Sequence, residues 1–252
     1  MDDGYADQAK IAAPLFEEFN CPLTFFVITG MLDQVLWPWD AQIAWITGTS
    51  KKATLDTAVT DKTFTLPLRN IQDRRRAKRE LHDAMRAVPS DRISEIVNRI
   101  ARDAGVVVPE KPPADYQPMS WDMARQLERK NIQFAPHSVS HNVFSRLDST
   151  SMRQEINDSW HKLDKELLNP LKIFCYPTGR EIDYGKREIE TLRESGFMGA
   201  VTTTPGFVEQ LDANNERLFR IPRFSLPESI HDFIQCCTWI EYVKSKHRIK
   251  QD

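Results

Sequence analysis

The sequence predicts an α/β fold in which helices and strands alternate around a parallel sheet. Amphipathic helical patterns at residues 6–19, 151–168 and 186–195 are each followed by a short apolar run typical of a buried strand. That order is typical of a parallel sheet, either closed or open. The chain has 252 residues, of which 40% are hydrophobic. It can therefore bury a sizeable core, in one α/β domain or in two small ones.

The first helix and strand come directly after the N-terminus. Apolar side chains in residues 6–19 recur at helical spacing and predict one buried face, formed by Ile11, Ala12, Leu15, Phe16 and Phe19. Residues 23–28 form an apolar run rich in aromatic and β-branched side chains. Such a run predicts a strand that is buried on both faces.

Residues 33–118 interrupt the alternation and predict a helical insertion. One helix begins in the basic cluster of residues 74–79, and a second amphipathic helix covers residues 93–104 and stops at Gly105. We expect this insertion to fold over the remainder of the chain and not to form an independent domain. Residues 1–252 would then make a single domain.

Two features of the insertion allow more than one interpretation. The basic cluster at residues 74–79 is interpreted as a solvated helix face, and binding of an anionic polymer is the alternative. Trp37 and Trp39 are interpreted as core residues. The alternative interpretation is that both tryptophans are exposed and offer a flat apolar face on which sugar rings stack.

The second half of the chain returns to the alternating pattern. Residues 151–168 carry a helical stripe of Ile156, Trp160, Leu163 and Leu167. Residues 172–176 predict the next strand, and residues 186–195 predict a helix that ends at Gly196. Residues 198–203 predict one further strand.

Composition and charge exclude several classes of protein. The net charge of −2 gives no electrostatic basis for binding nucleic acid. The four cysteines form no Cys-x-x-Cys pair, which favours a reducing compartment, and we expect a cytoplasmic protein. No run approaches the length of a membrane span, and an acidic pair opens the sequence where a signal peptide would be basic and then apolar. The oligomeric state is not indicated.

Two histidines in the middle of the chain are candidate metal ligands. His137 and His141 are four residues apart, so both neutral imidazoles can bind one ion. This spacing alone is also typical of surface or capping histidines. Asp2 and Asp3 offer carboxylates that the fold could bring to the same ion. Three protein ligands with one open position are typical of a catalytic zinc site.

These segments together resemble the polysaccharide deacetylase family, the NodB-homology carbohydrate esterases of family 4. Residues 2–7, Asp-Asp-Gly-Tyr-Ala-Asp, followed by Pro-Leu-Thr-Phe-Phe-Val at 22–27, resemble its first motif. His-Ser-Val-Ser-His at 137–141 resembles the second, and Phe-Cys-Tyr-Pro-Thr-Gly at 174–179 the third. Arg-Ile-Pro-Arg at 220–223 is similar to a late strand in one branch of the family. The resemblance implies a distorted (β/α)7 barrel of NodB-homology type.

The resemblance also implies roles for individual residues. Asp3, His137 and His141 would hold a divalent ion, expected to be Zn²⁺, with Co²⁺ or Ni²⁺ as alternatives. Asp2 would be the general base, and the backbone N–H of Thr178 would stabilise the oxyanion. The neighbouring residues of the third motif would contact a carbohydrate substrate; they are Tyr176, Pro177 and Gly179.

Three departures from the family pattern affect these roles. Cys175 stands where many relatives have an arginine that orients the base, and we expect Arg223 or Arg180 to replace it. The late Leu-x-His motif that carries the usual general acid is absent, and His231 is interpreted as a surface residue. Protonation of the leaving amine would then fall to water or to Asp2, or be inefficient.

The third departure lies at the N-terminus. The resemblance implies a buried strand before Asp2, where the sequence has only Met1. We expect a start assigned too late, a fragment, or a barrel that lacks its first strand. Because chain ends fray unless they are held, we expect the first residues to be disordered or displaced.

The sequence thus predicts a metal-dependent hydrolase that removes N-acetyl groups from amino sugars of a bacterial poly- or oligosaccharide. Hydrolysis of another amide, such as a cyclic imide or ureide, is one alternative. A glycan-binding or structural protein whose catalysis has lapsed is the other.

Overall fold

The computed structural model describes residues 1–130, 132–208, 216–227, 229–238, 240 and 242–243. Within these ranges the strands are short. They are β1 (Asp2–Asp3), β2 (Thr24–Val27), β3 (Thr54–Val59), β4 (Lys62–Pro67), β5 (Gln133–Pro136), β6 (Ile173–Cys175) and β7 (Gly199–Val201). The same ranges contain nine α-helices. They are α1 (Ala13–Glu18), α2 (Thr29–Leu32), α3 (Trp39–Thr49), α4 (Ile71–Met85), α5 (Ile93–Ala104), α6 (Trp121–Glu128), α7 (Ser149–Glu166), α8 (Lys186–Glu194) and α9 (Ile230–Cys236).

The parallel strands lie side by side in an arc. β1, β2 and β5 form one parallel sheet in that order, and β6 and β7 form another. The two sheets are adjacent, because the Leu171 N–H donates to the Phe134 carbonyl at 2.7 Å. Ile221 continues the arc beyond β7 through an isolated parallel bridge to Val201. The fold is therefore mixed α/β, as predicted.

No sheet in the described ranges closes into a barrel, so the expected (β/α)7 barrel is not formed as a continuous ladder. The parallel strands have two to four residues each. Strands this short make only a few ladder hydrogen bonds, and the ladder is interrupted between β5 and β6.

The expectation of a displaced N-terminus is wrong. β1 pairs with β2 in parallel, with Asp2 opposite Phe26 and Asp3 opposite Val27. The Met1 ammonium donates to the Thr24 carbonyl at 2.7 Å, and the Phe26 N–H donates to the Met1 carbonyl at 2.8 Å. These bonds hold the first three residues against β2.

The helix at residues 6–19 exists, but its predicted buried face is only partly correct, since Ala12 and Phe16 are half-buried and Phe16 packs against the core. Residues Gln8–Ala12 form a π-helical turn before α1. A π turn holds more residues than an α turn, so it rotates the face that the following helix presents. Ile11, Leu15 and Phe19 are consequently 64%, 51% and 71% exposed, and the small side chains Ala9 and Ala13 are buried instead.

The segment 33–118 contains a sheet as well as helices. β3 and β4 form an antiparallel hairpin that the sequence analysis missed. The hairpin packs with α3, α4 and α5 around a hydrophobic cluster of its own. Trp37 and Trp39 are 7% and 5% exposed, which confirms their interpretation as core residues. The division of the chain into domains stays a prediction.

The second half of the chain matches the prediction closely. α7, β6, α8 and β7 fall within a few residues of the predicted elements. Their apolar faces share a cluster that includes Phe144, Ile156, Phe174 and Leu192. Among the described residues, no helix is both long and apolar enough to span a membrane.

Candidate metal centre

The carboxyl ends of the parallel strands bring the first two motifs together. Asp2 and Asp3 form β1, and His137 follows β5, where its N–H donates to the Val27 carbonyl at 2.9 Å. Asp3, Ser138 and His141 have positive φ angles of 75°, 66° and 59°. L-residues rarely adopt this conformation, and residues that do so cluster at functional sites. Here two of the candidate ligands, Asp3 and His141, adopt the unusual backbone, and Ser138 directly follows the third, His137.

The three predicted metal ligands converge. The Nε2 atoms of His137 and His141 lie 3.6 Å and 3.7 Å from Asp3 Oδ1. The candidate ligand atoms are all within 4.8 Å of one another. His137 Nδ1 lies 2.8 Å from the Cys175 carbonyl. Because a carbonyl only accepts, Nδ1 carries the proton and Nε2 is free to bind an ion. One carboxylate and two imidazoles form a donor set that fits Zn²⁺.

Asp40 is a residue of this centre that the sequence analysis missed. Its Oδ1 lies 3.6 Å from His141 Nδ1, on the side of the ring away from Asp3. Among the described side chains, both atoms are buried without a hydrogen-bond partner. A carboxylate behind a metal-binding histidine fixes its tautomer and orientation. Asp40 is the second residue of α3, and nothing in the sequence around it predicts this position.

The buried charges explain why a cation suits the centre. Burial, reinforced by Asp40 and Asp2, raises the pKa of the Asp3 carboxyl to about 7. Burial lowers the pKa of His137 to about 4. Burial opposes charge on His141 as well, but Asp40 raises its pKa to about 9. A divalent ion would stabilise the ionised carboxylates and take the place of the proton on the imidazole that binds it.

The Asp2 carboxylate forms an ion pair with Arg223. Arg223 donates to both of its oxygens, at 2.7 Å and 2.5 Å. Burial raises the pKa of the Asp2 carboxyl, but the hydrogen bonds and charge of Arg223 outweigh it and lower the pKa to about 2. Of the two arginines considered, Arg223 contacts Asp2, and Arg180 instead pairs with Asp83 at 2.9 Å.

A second group of possible ligands, Asp2, His137 and Cys175, also lies within 4.8 Å. It is the weaker candidate. Burial and the neighbouring Asp2 raise the pKa of the Cys175 thiol well above its ordinary value, and metals bind the thiolate. Arg223 already neutralises Asp2 and lies 3.1 Å from Cys175 Sγ.

The third motif forms a sharp turn beside this centre. The Gly179 N–H donates to the Pro177 carbonyl at 2.7 Å, which forms a γ-turn around Thr178, whose φ is 60°. A side chain at Gly179, whose φ is 62°, would meet the Thr203 nitrogen at 3.0 Å. In the described part of the chain the Thr178 N–H has no acceptor. It is available to a ligand.

The Tyr176 side chain is buried in the core and does not face a ligand beside the turn. Its side chain is 1% exposed, stacks on Tyr184 at 4.1 Å and donates its hydroxyl to the Phe219 carbonyl at 3.1 Å. The predicted substrate contact of Tyr176 therefore stays a prediction, and the buried side chain leaves only the backbone for it. Pro177 and Gly179 are also buried, so any substrate contact in this turn runs through the backbone and Thr178.

A cavity of about 590 Å³ lies next to the turn, between the third motif and the insertion. Its lining includes His82, Arg86, Thr178, Arg180 and Thr204. The Thr178 hydroxyl donates to Asp183 at 2.6 Å, and Arg86 pairs with the same carboxylate. The insertion is thus tied directly to the turn.

Known proteins share the family and the fold of this chain. A family model described as polysaccharide deacetylase matches residues 1–200. No curated protein matches the chain. The deacetylase PplD of Streptococcus pyogenes, solved in complex with acetate, is 16% identical with a TM-score of 0.53; the match covers 92% of this chain and 66% of that one.

IcaB from Ammonifex degensii is 13% identical with a TM-score of 0.51, and that match covers 95% of this chain and 70% of IcaB. At these identities the likeness shows the fold alone. The chain spans about two thirds of the length of these solved relatives.

Proposed function

The chain belongs to the polysaccharide deacetylase family, and we propose that it is a metal-dependent hydrolase that removes N-acetyl groups from amino sugars of a bacterial poly- or oligosaccharide. Members of this family hydrolyse carbon–nitrogen bonds other than peptide bonds. The observation that carries the proposal is the convergence of Asp3, His137 and His141 within 4.8 Å. We also propose that the parallel strands follow the order of the family's distorted barrel, although their ladder is not closed.

Asp3, His137 and His141 would hold one divalent ion, Zn²⁺ first and Co²⁺ or Ni²⁺ as alternatives. Such an ion supplies Lewis-acid chemistry, activating water and polarising the carbonyl of the substrate. Asp40 would act as the positioning residue of the centre. It would accept a hydrogen bond from His141 Nδ1, so that Nε2 keeps its lone pair for the ion.

Asp2 would accept the proton of the attacking water. The two hydrogen bonds from Arg223 support this role, because they fix the orientation of the carboxylate and keep it ionised. The Arg223 Nε–H in turn donates to the Thr202 carbonyl at 2.8 Å, which anchors the guanidinium. Arg223 would therefore replace the arginine that is missing at Cys175.

The Thr178 N–H would donate to the oxyanion that forms when water adds to the acetyl carbonyl. Preorganised backbone donors stabilise developing charge because they need no rearrangement during the reaction. The γ-turn supports this role by holding the N–H in place without an internal acceptor. Pro177 and Gly179 would shape the same turn around the bound carbohydrate.

The test of this function is release of acetate from N-acetylglucosamine oligomers by the metal-loaded protein and by Asp2→Asn. Asparagine keeps the shape of the side chain but cannot accept the proton, so we expect the rate to fall about 10² to 10⁴-fold. Metal content should stay at the wild-type value. A chelator should abolish acetate release, and Zn²⁺ should restore it.

Absence of acetate from the metal-loaded wild type would contradict the proposal. Release of ammonia or of another amine from a cyclic imide or ureide would then favour the other hydrolase function. Glycan binding without hydrolysis would favour lapsed catalysis. The intact pairing of Asp2 with Arg223 argues for an enzyme, because a binding protein has no need to orient that carboxylate.

A further inference from the structure

The proposed hydrolysis leaves one step without a residue, and this inference rests on that function. When the carbon–nitrogen bond of an amide breaks, the nitrogen takes the electron pair and must receive a proton, because an amide anion is too basic to leave. The family motif that normally supplies this acid is absent from the chain. Water and Asp2 are two sources of this proton, and a side chain from another part of the fold is a third.

Histidine is the side chain best suited to transfer a proton near neutral pH. The structure describes five histidines. His137 and His141 are the candidate metal ligands. His161 and His231 are exposed on α7 and α9 and do not line the cavity beside the third motif. His82 is the remaining one.

His82 lies on α4, in the insertion, and lines the same cavity as Thr178. Its ring stacks on Trp39, with centroids 5.1 Å apart and planes inclined by 23°. Trp39 is directly followed by Asp40, which contacts His141. Packing against Trp39, one residue along the chain from the carboxylate that contacts His141, therefore holds the imidazole at the wall of the cavity. Its side chain is 25% exposed, so the ring can exchange protons with solvent.

Charged groups of both signs lie around His82. The groups that influence it are Asp40 on α3, Asp83 and Arg86 on or next to α4, and His141. Burial lowers the pKa of His82, Asp40 and Asp83 raise it, and Arg86 and His141 lower it further. The net direction is downward, which makes the protonated ring a stronger acid.

We propose that His82 is the general acid of the reaction and protonates the leaving amine from the insertion side of the cavity. In this step the carbon–nitrogen bond of the tetrahedral intermediate breaks and its electron pair goes to nitrogen. A ring nitrogen of protonated His82 gives its proton to that nitrogen and becomes neutral. Acetate and the free amine leave, and His82 recovers a proton from solvent.

The test compares two substrates in His82→Gln, which cannot donate a proton in this way. With N-acetylglucosamine oligomers the leaving amine needs a proton, so acetate release should fall about 10² to 10⁴-fold. With an aryl acetate ester the leaving phenolate needs none, so its rate should stay within about twofold of wild type. His161→Gln is the matched control and should change neither rate. Metal content should be equal in all three proteins.

The wild type provides a second measurement that does not depend on folding of the variant. Its amide hydrolysis should fall on the alkaline side as His82 loses its proton, and hydrolysis of the aryl ester should not share that decline. An unchanged amide rate in His82→Gln, or equal losses for amide and ester, would overturn the role of His82 while leaving the hydrolase standing. If the wild type released no acetate from any amide, the proposed function would fail, and the role of His82 with it.

Discussion

At the scale of single residues, the centre depends on side chains that are held by unusual backbone. Of the seven non-glycine residues with positive φ in the described chain, Asp3, Ser138, His141 and Thr178 belong to the centre or its turn. Each such residue costs of the order of 1 kcal/mol or more, and the surrounding packing must compensate. The concentration of this strain at one place supports a functional role for it.

We expect about one divalent ion to bind per chain, and His137→Ala or His141→Ala to abolish this binding. Each substitution removes one of three protein ligands, and two ligands hold a catalytic ion poorly. Metal content by elemental analysis after dialysis is the measurement. His161→Ala, on the exposed face of α7, is the control and should keep full occupancy. Equal metal content in all variants would exclude this site.

Asp40→Asn should weaken metal affinity by about 10 to 100-fold. The amide keeps the size of the side chain and can still accept a hydrogen bond, but it removes the charge behind His141. Titration calorimetry with Zn²⁺ measures the change directly. Asp56→Asn, in the β3–β4 hairpin, is the control and should bind as the wild type does. Wild-type affinity in Asp40→Asn would show that Asp40 only fills space.

At the scale of secondary structure, the loop at residues 137–141, which carries both candidate histidine ligands, is positioned by its contact with α2. The Thr29 and Gly30 N–H groups donate to the carbonyls of Ser138 and Val139 at 3.1 Å and 3.0 Å. A side chain on Gly30 would approach the Val139 carbonyl oxygen to 2.6 Å. The loop can therefore lie this close only because residue 30 is glycine.

Gly30→Ala should push the loop at residues 137–141 away and weaken metal binding. Overpacking of this kind typically costs about 1–3 kcal/mol of unfolding free energy. Gly48→Ala, in α3, is the matched control, because no atom lies within 4 Å of the added carbon. It should stabilise the protein by about 0.5–1 kcal/mol. Denaturant unfolding and Zn²⁺ titration of both variants test this, and full metal affinity in Gly30→Ala would contradict it.

At the scale of the whole molecule, the insertion and the third motif are joined by a buried ion pair. Arg86 follows α4 and Asp183 follows the turn after β6, and they are 4% and 2% exposed. Asp183 also accepts from the Thr178 hydroxyl at 2.6 Å and from the Arg180 N–H at 2.9 Å. The position of the turn is thus fixed from the insertion.

Arg86→Leu should destabilise the protein by about 3–5 kcal/mol, because it leaves Asp183 as an unpaired buried charge. The double variant Arg86→Leu/Asp183→Asn should recover part of this loss, since no buried charge remains. Arg153→Leu, which breaks the exposed pair with Glu194, should change little. The measurement is the denaturant midpoint of each of the three variants, compared with that of the wild type. Equal stability of Arg86→Leu and wild type would contradict the coupling.

The sequence by itself determined the features that depend on neighbouring residues. The order of helices and strands between residues 149 and 201 followed from hydrophobic period, and the candidate ligands Asp3, His137 and His141 followed from motifs a few residues long. The β3–β4 hairpin also has a local signal that the prediction lacked, because Phe64, Leu66 and Leu68 alternate with polar residues or proline.

Only the tertiary structure decided the rest. The π turn before α1 changed which side chains of that helix are buried, and no hydrophobic pattern marks such a turn. The structure also decided that Arg223 and not Arg180 contacts Asp2. It brings Asp40 from the insertion to His141, and His82 to the cavity beside the third motif. These contacts join residues far apart in the chain. Their partners are fixed by how the insertion packs on the strands, and that packing leaves no local pattern in the sequence.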